Sequence, residues 1–111
     1  MITLPFPPSG LSGHNVTGNR WAKNKIVKQW RELACTVARA AKLISPEAGD
    51  IRIHVRFVPP NRRGDRVNFP NRMKPIFDGI ADALNVNDSR FLPSFEFSEP
   101  EAPGRVEVTF P

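Results

Sequence analysis

Between Ile51 and Phe57 apolar and polar side chains alternate strictly. Ile51, Ile53, Val55 and Phe57 fall on one face and Arg52, His54 and Arg56 on the other, the period-two signature of a half-buried strand. Arg105 to Phe110 repeats the alternation through Val106, Val108 and Phe110 and is expected to close the sheet, while Ser94 to Phe97 is a shorter candidate with Phe95 and Phe97 inward. Ile2 to Phe6 reads as an opening strand stopped by Pro7-Pro8, with a Gly-, Ser- and Asn-rich loop from Ser9 to Gly18. Two segments change period. From Lys23 to Leu43 the apolar positions Ile26, Trp30, Leu33, Ala34, Val37 and Ala41 recur at helical spacing, and that face is expected to pack on the sheet. Met73, Ile76, Phe77, Ile80, Ala81 and Leu84 mark a second amphipathic helix, with Lys74, Asp78 and Asp82 in one polar stripe at spacing four. Pro75 belongs in its first turn, Pro70 favours an extended approach, and the regular helix is expected to start near Asn71. These elements predict a single α+β (mixed α/β) domain over residues 1–111, a small sheet of about four strands packed with two main helices. Gly79 weakens the second helix by up to about 1 kcal/mol relative to Ala, so close approach of another backbone, of DNA or of a second copy is expected there.

The chain's 111 residues support a real core, but a small one that a dimer would strengthen. No apolar run approaches the roughly 20 residues of a membrane span, and the start Met1-Ile2-Thr3-Leu4-Pro5 lacks the basic and apolar regions of a signal peptide. A reducing, cytoplasmic setting is the expectation. The single Cys35, among Ala34, Thr36 and Val37, reads as a small core residue rather than a catalytic thiol.

Charge changes the picture. A formal net charge of +5 and a pI near 10.1 call for a negatively charged partner, and nucleic acid is the commonest. Lys25, Lys28, Arg31, Arg39 and Lys42 form a ridge on the first helix opposed only by Glu32, which reads either as a solvated face or as a phosphate contact. Arg62, Arg63 and Arg66 add a basic turn around Asp65, an acid that looks buried. His54 lies between two arginines, where like charge disfavours a bound cation, so it reads as a polar-face residue. Four of the five aspartates fall between Pro59 and Phe91, and crowded carboxylates need cations or a metal beside them. A metal site within a nucleic-acid-binding surface is the resulting expectation.

Three blocks carry a resemblance to a known family. Ile2-Thr3-Leu4-Pro5-Phe6-Pro7-Pro8-Ser9, the turn Pro59 to Asn68 with Arg62-Arg63-Gly64-Asp65-Arg66-Val67-Asn68, and Lys74 to Leu84 leading to Asn87-Asp88-Ser89 stand in the order of the RusA family of Holliday-junction resolvases, which the chain resembles. These are small dimeric endonucleases often carried by prophages. The resemblance implies Asp65, Lys74, Asp78 and Asp88 as catalytic positions, with Asp65 and Asp88 holding Mg²⁺ (Mn²⁺ substituting) and Lys74 touching the scissile phosphate or orienting water. It implies a homodimer acting on branched DNA such as four-way junctions, held by Arg62, Arg63, Arg66, Lys25, Lys28 and Arg31. Val67 stands where the family's second acid is expected, beside Asn68, whose carbonyl is only a neutral donor. Asn68, Asn71 and Asp82 are open candidates; Asp78 alternatively only pairs with Lys74, and Asp82 alternatively is solvated surface. A second helix of roughly 20 Å separates Asp65 from Asp88, so either the preceding loop runs back along it or two helices meet across a twofold axis. Two other functions stay open: a RusA-like fold that binds branched DNA without cutting it, because Val67 removes a ligand, and a basic interaction module whose acids are structural.

Overall fold

The computed structural model describes residues 1–11 and 20–111. Their order is β1 (Ile2–Pro5), α1 (Arg20–Ala40), β2 (Ile51–Val58), α2 (Lys74–Leu84), β3 (Phe91–Phe97) and β4 (Arg105–Thr109), with 3₁₀ turns at Ser9–Leu11, Arg66–Met73 and Asp88–Arg90. The rest of the predicted Ser9–Gly18 loop lies outside the described residues. The strands form one four-stranded mixed sheet in the order β1-β4-β2-β3. β4 is antiparallel to both β1 and β2, and β2 runs parallel to β3. The α+β architecture of about four strands and two helices is therefore the observed one.

The alternation in β2 has its expected consequence: Ile51, Ile53, Val55 and Phe57 are buried, and they meet Val106 and Val108 of β4 and Ile2 and Leu4 of β1 in one core. β4 does not flank the sheet but inserts between β1 and β2. β3 is longer than Ser94–Phe97, starting at Phe91; Pro93 hid its first half. A proline lacks the ladder donor but is tolerated here because β3 is an edge strand. Phe95 packs against the core as expected, whereas Phe97 stays 41% exposed; both stack on Phe57, with ring centroids 5.9 and 5.5 Å away.

The apolar face of α1 joins the core over the sheet as expected, with Ala34 and Ala38 buried in one cluster with Ile2, Leu4, Ile53 and Val55, and α1 also packs closely on α2. The reason for the close packing is Gly79. A Cβ there would stand 2.2 Å from the Arg31 carbonyl oxygen and 2.9 Å from the Ala34 Cβ, so the bare glycine lets the two helix backbones touch. The close approach is thus within this chain. It buries Ala34 and Ala38 and leaves Leu33 and Ala41 exposed.

α2 begins at Lys74 with Pro75 in its first turn. The segment before it is not extended: Arg66–Met73 is a 3₁₀ helix containing Pro70 and Asn71, whose first turn is capped by the Asp65 carboxylate accepting from Val67 N–H at 3.0 Å. Proline's fixed φ suits this geometry. Arg72 pins the segment to the start of the chain, donating to the Pro7 carbonyl at 3.1 Å and lying over the rings of Phe6 and Phe69. Burial pushes its guanidinium pKa down. No helix among the described residues is long and apolar enough to cross a membrane.

Candidate functional site

α2 and the turn after it bring together the sequence-predicted residues Lys74, Asp78 and Asp88. Lys74 and Asp78 are one turn apart, and Lys74 Nζ donates to Asp78 Oδ1 at 2.9 Å. At its C-terminus Asn85 adopts the left-handed conformation (φ 55°, ψ 48°), and its N–H bonds back to Ala81 and Asp82. That cap reverses the chain, and Asn87 then caps the next 3₁₀ turn by accepting from Ser89 N–H at 2.9 Å. The reversal returns Asp88 along α2 until its carboxylate also accepts from Lys74. One ammonium thus holds two carboxylates that stand ten residues apart in the sequence.

The electrostatics follow from this geometry. Hydrogen bonding to Asp88, and next to Asp78, raises the Lys74 pKa, and the same bond from Lys74 holds Asp88 below the usual carboxylate range. Beside them Arg31 of α1 grips Asp82 with both guanidinium edges, at 2.7 and 2.9 Å, raising the arginine's pKa and lowering that of the acid. A cavity of about 180 Å³ is lined by Arg31, Asp78, Asp82, Asn87 and Asp88. Asp82 is at the surface, as the solvated reading expects, but it is ion-paired there, and Arg31 spends its charge on an acid of its own chain.

Asp65 is elsewhere. It is exposed, not buried, and lines a groove of about 470 Å³ with Arg62, Arg63, Arg66, Asn61 and Phe69. The eight-residue 3₁₀ helix Arg66–Met73, rising about 2 Å per residue, separates it from Lys74 by roughly 16 Å of chain. Asp65 and Asp88 thus line different cavities. The turn after α2 brings Asp88 back to Lys74 at the start of the helix. Val67 is 80% exposed and Asn68 is also exposed, both on the capped turn.

A divalent hard cation needs oxygen donors, and Mg²⁺ commonly takes only one or two carboxylates, keeping waters for the rest of its shell. Asp78 and Asp88 meet that requirement as a two-carboxylate set. No group of three or more His, Cys, Asp or Glu side chains suited to a metal occurs among the described residues.

Of the predicted DNA-contacting cations, Arg62 is paired with Glu99 at 2.8 Å and Lys25 lies over the Trp21 ring. Lys28, Arg63 and Arg66 carry no side-chain ion pair or hydrogen bond among the described residues. His54 bridges Ser94 and Glu96 on the outer sheet face, a cross-strand polar network. Sequence reasoning missed the Arg31–Asp82 fork, because nothing in a single chain's spacing links positions on two helices; the glycine at position 79 was the available hint.

An uncharacterized protein of Xylella fastidiosa (strain Temecula1 / ATCC 700964) is 39% identical to this chain over 114 aligned positions, covering 97% of this chain and 73% of its own length. The two proteins belong to one family. No family model matches the chain.

Proposed function

We propose that the chain is a Mg²⁺-dependent, structure-selective endodeoxyribonuclease acting on branched DNA, of the RusA kind its motifs resemble. The observation that carries the reading is the convergence of Lys74, Asp78 and Asp88 on the open surface of α2 in a strongly basic protein. Asp78 and Asp88 would hold the ion, which when bound supplies neutralisation of the leaving oxygen and an activated water. Asp88 is ionised at neutral pH as any ordinary carboxylate is, and its bond from Lys74 holds its pKa lower still. Lys74 is a long, two-thirds exposed cation whose ammonium can turn from the carboxylates to a phosphate oxygen. Arg63 and Arg66, beside Asp65, offer phosphate contacts away from the cut. A symmetric dimer presents two such sites, which suits paired incisions in a twofold-symmetric junction.

One observation favours a second reading, binding without cutting. Asp65 is remote from the cluster and Val67 supplies no donor, so the acidic set is smaller than the motif resemblance implies. Incubation of the purified chain with an end-labelled four-way junction, with and without Mg²⁺ or Mn²⁺, separates the two. Metal-dependent nicks near the branch point are expected; a shifted but uncut junction at every metal concentration selects the binder.

A further inference from the structure

The two broad faces of the molecule differ in how their cations are used. On the outer face of the sheet nearly every acid already holds an arginine or histidine. Arg56 binds Glu96 and Glu107, Arg105 binds Glu107 and Glu101, and His54 binds Glu96. A polyanion there would have to displace those carboxylates. On α1 the residues 28 and 35, and alongside them 25, 32 and 39, recur at seven-residue spacing, so they form two adjacent stripes along one side of the helix, and Lys42 follows in the turn after it. The side chains of Lys28, Arg39 and Lys42 have no ion pair or hydrogen bond among the described residues. A groove of about 610 Å³ runs beside them, lined by Lys28, Arg31, Glu32, Cys35, Thr36, Arg39 and Asp82. Its neighbour is the carboxylate cavity, and the Arg31–Asp82 fork is the wall common to both.

Resting on the reading that the chain binds branched DNA, we infer that this α1 groove seats one phosphodiester backbone and leads it past the Arg31–Asp82 fork to Asp78 and Asp88. Lys28 and Arg39 are the phosphate contacts. They lie eleven residues apart, about 16 Å along the helix at about 1.5 Å per residue, a span of two to three phosphates. Arg31 is a positioning residue: its bidentate hold on Asp82 fixes α1 against α2 where the groove meets the cavity. Cys35 and Thr36 give the groove a small neutral lining that lets a backbone approach closely. Glu32 is the one lining acid without an ion pair among the described residues, and it opposes a polyanion.

The single cysteine of the chain makes the inference directly testable. Cys35 is half-buried in the groove, so alkylation by a small maleimide can be timed with and without a four-way junction in the absence of metal. Junction DNA is expected to slow Cys35 alkylation at least about tenfold. Lys28→Ala and Arg39→Ala are each expected to weaken junction binding about three- to tenfold and to lower the salt slope by about one. Glu32→Gln is expected to tighten binding, a direction that loss of folding cannot mimic, and Arg52→Ala on the sheet face to leave it unchanged. Unprotected Cys35 together with unaltered affinities of the Lys28, Arg39 and Glu32 variants overturns the groove. Metal-dependent cleavage with an unprotected Cys35 keeps the nuclease and removes the groove; protection without cleavage does the reverse.

Discussion

The α2 cluster and the Asp65 turn both carry an acid beside cations, yet only the first is a convergence of acids. In the cluster, Asp78 and Asp88 reach one ammonium because a left-handed residue at Asn85 folds the chain back along its own helix. In the turn, Asp65 spends an oxygen on the Val67 N–H and stands alone among arginines. The contrast teaches that a motif's order along the chain does not establish a shared site. The backbone reversal does.

The largest expected effect breaks that contrast at its acids. Asp88→Asn keeps shape and removes one of only two carboxylates in the cluster, so junction cleavage should fall by at least about 100-fold in single-turnover assays. Asp65→Asn retains the cap, because Asn is as good a cap as Asp, and should cost less than about tenfold. Equal losses for the two would place Asp65 in the reacting centre and defeat the separation argued from the structure.

Next in size is a packing test. Gly79→Ala improves helix propensity by about 1 kcal/mol in isolation. Here the new Cβ would meet the Arg31 carbonyl and the Ala34 side chain, so the helices must part, and a net loss of about 1–3 kcal/mol is expected in denaturant unfolding. The matching change in the turn, Gly64→Ala, meets the Phe69 ring edge at 3.4 Å and Arg72 at 4.0 Å, both ordinary contacts, and its penalty comes from a φ of +91°. It should cost about 1 kcal/mol and leave the α2 cluster intact. A Gly79→Ala protein as stable as the parent would show that α1 does not rest on α2 in this way.

Much of the fold was legible because β2 and β4 alternate cleanly and α2 keeps an unbroken apolar face. Pro93 and Pro70 misled, one by masking half of an edge strand and the other by suggesting extension where a 3₁₀ helix forms. Cys35 is expected in the core but is half-buried at a groove, since it lies at the α1–α2 contact beside Gly79. For the site, the Lys74–Asp78 pair followed from spacing alone. The arrival of Asp88 depended on a cap, and the capture of Asp82 by Arg31 depended on helix packing; neither leaves a periodic trace in sequence.

A smaller effect comes from Val67. Because its side chain is 80% exposed, Val67→Asp puts a carboxylate into water rather than into the core. The stability, followed by thermal unfolding, should stay within the roughly 0.5 kcal/mol typical of surface changes. The new acid stands on the Asp65 turn, so it should not lower the Mg²⁺ concentration for half-maximal cleavage if the ion is held by Asp78 and Asp88. A clear drop in that concentration would move the ion to the turn.

The smallest expected effect concerns pH. Asp88's folded pKa is depressed, so its pairing stabilises above its unfolded value near 3.9 and is lost as pH falls through the folded one. Lys74's is raised, so its share is complete below about 10.4 and is lost as pH rises through the folded value. The two limits leave a plateau from about pH 5 to about pH 10. Both side chains are substantially exposed, 66% and 32%, so screening keeps the worth of the pair near the 0.2–1 kcal/mol usual for surface ion pairs, or about that order. The stability difference between the parent and Lys74→Met, followed by thermal unfolding, should therefore be flat across that plateau, shrink below about pH 3 and diminish in high salt. A difference that instead grows as the acids protonate would mean that Lys74 is not what holds Asp78 and Asp88 together.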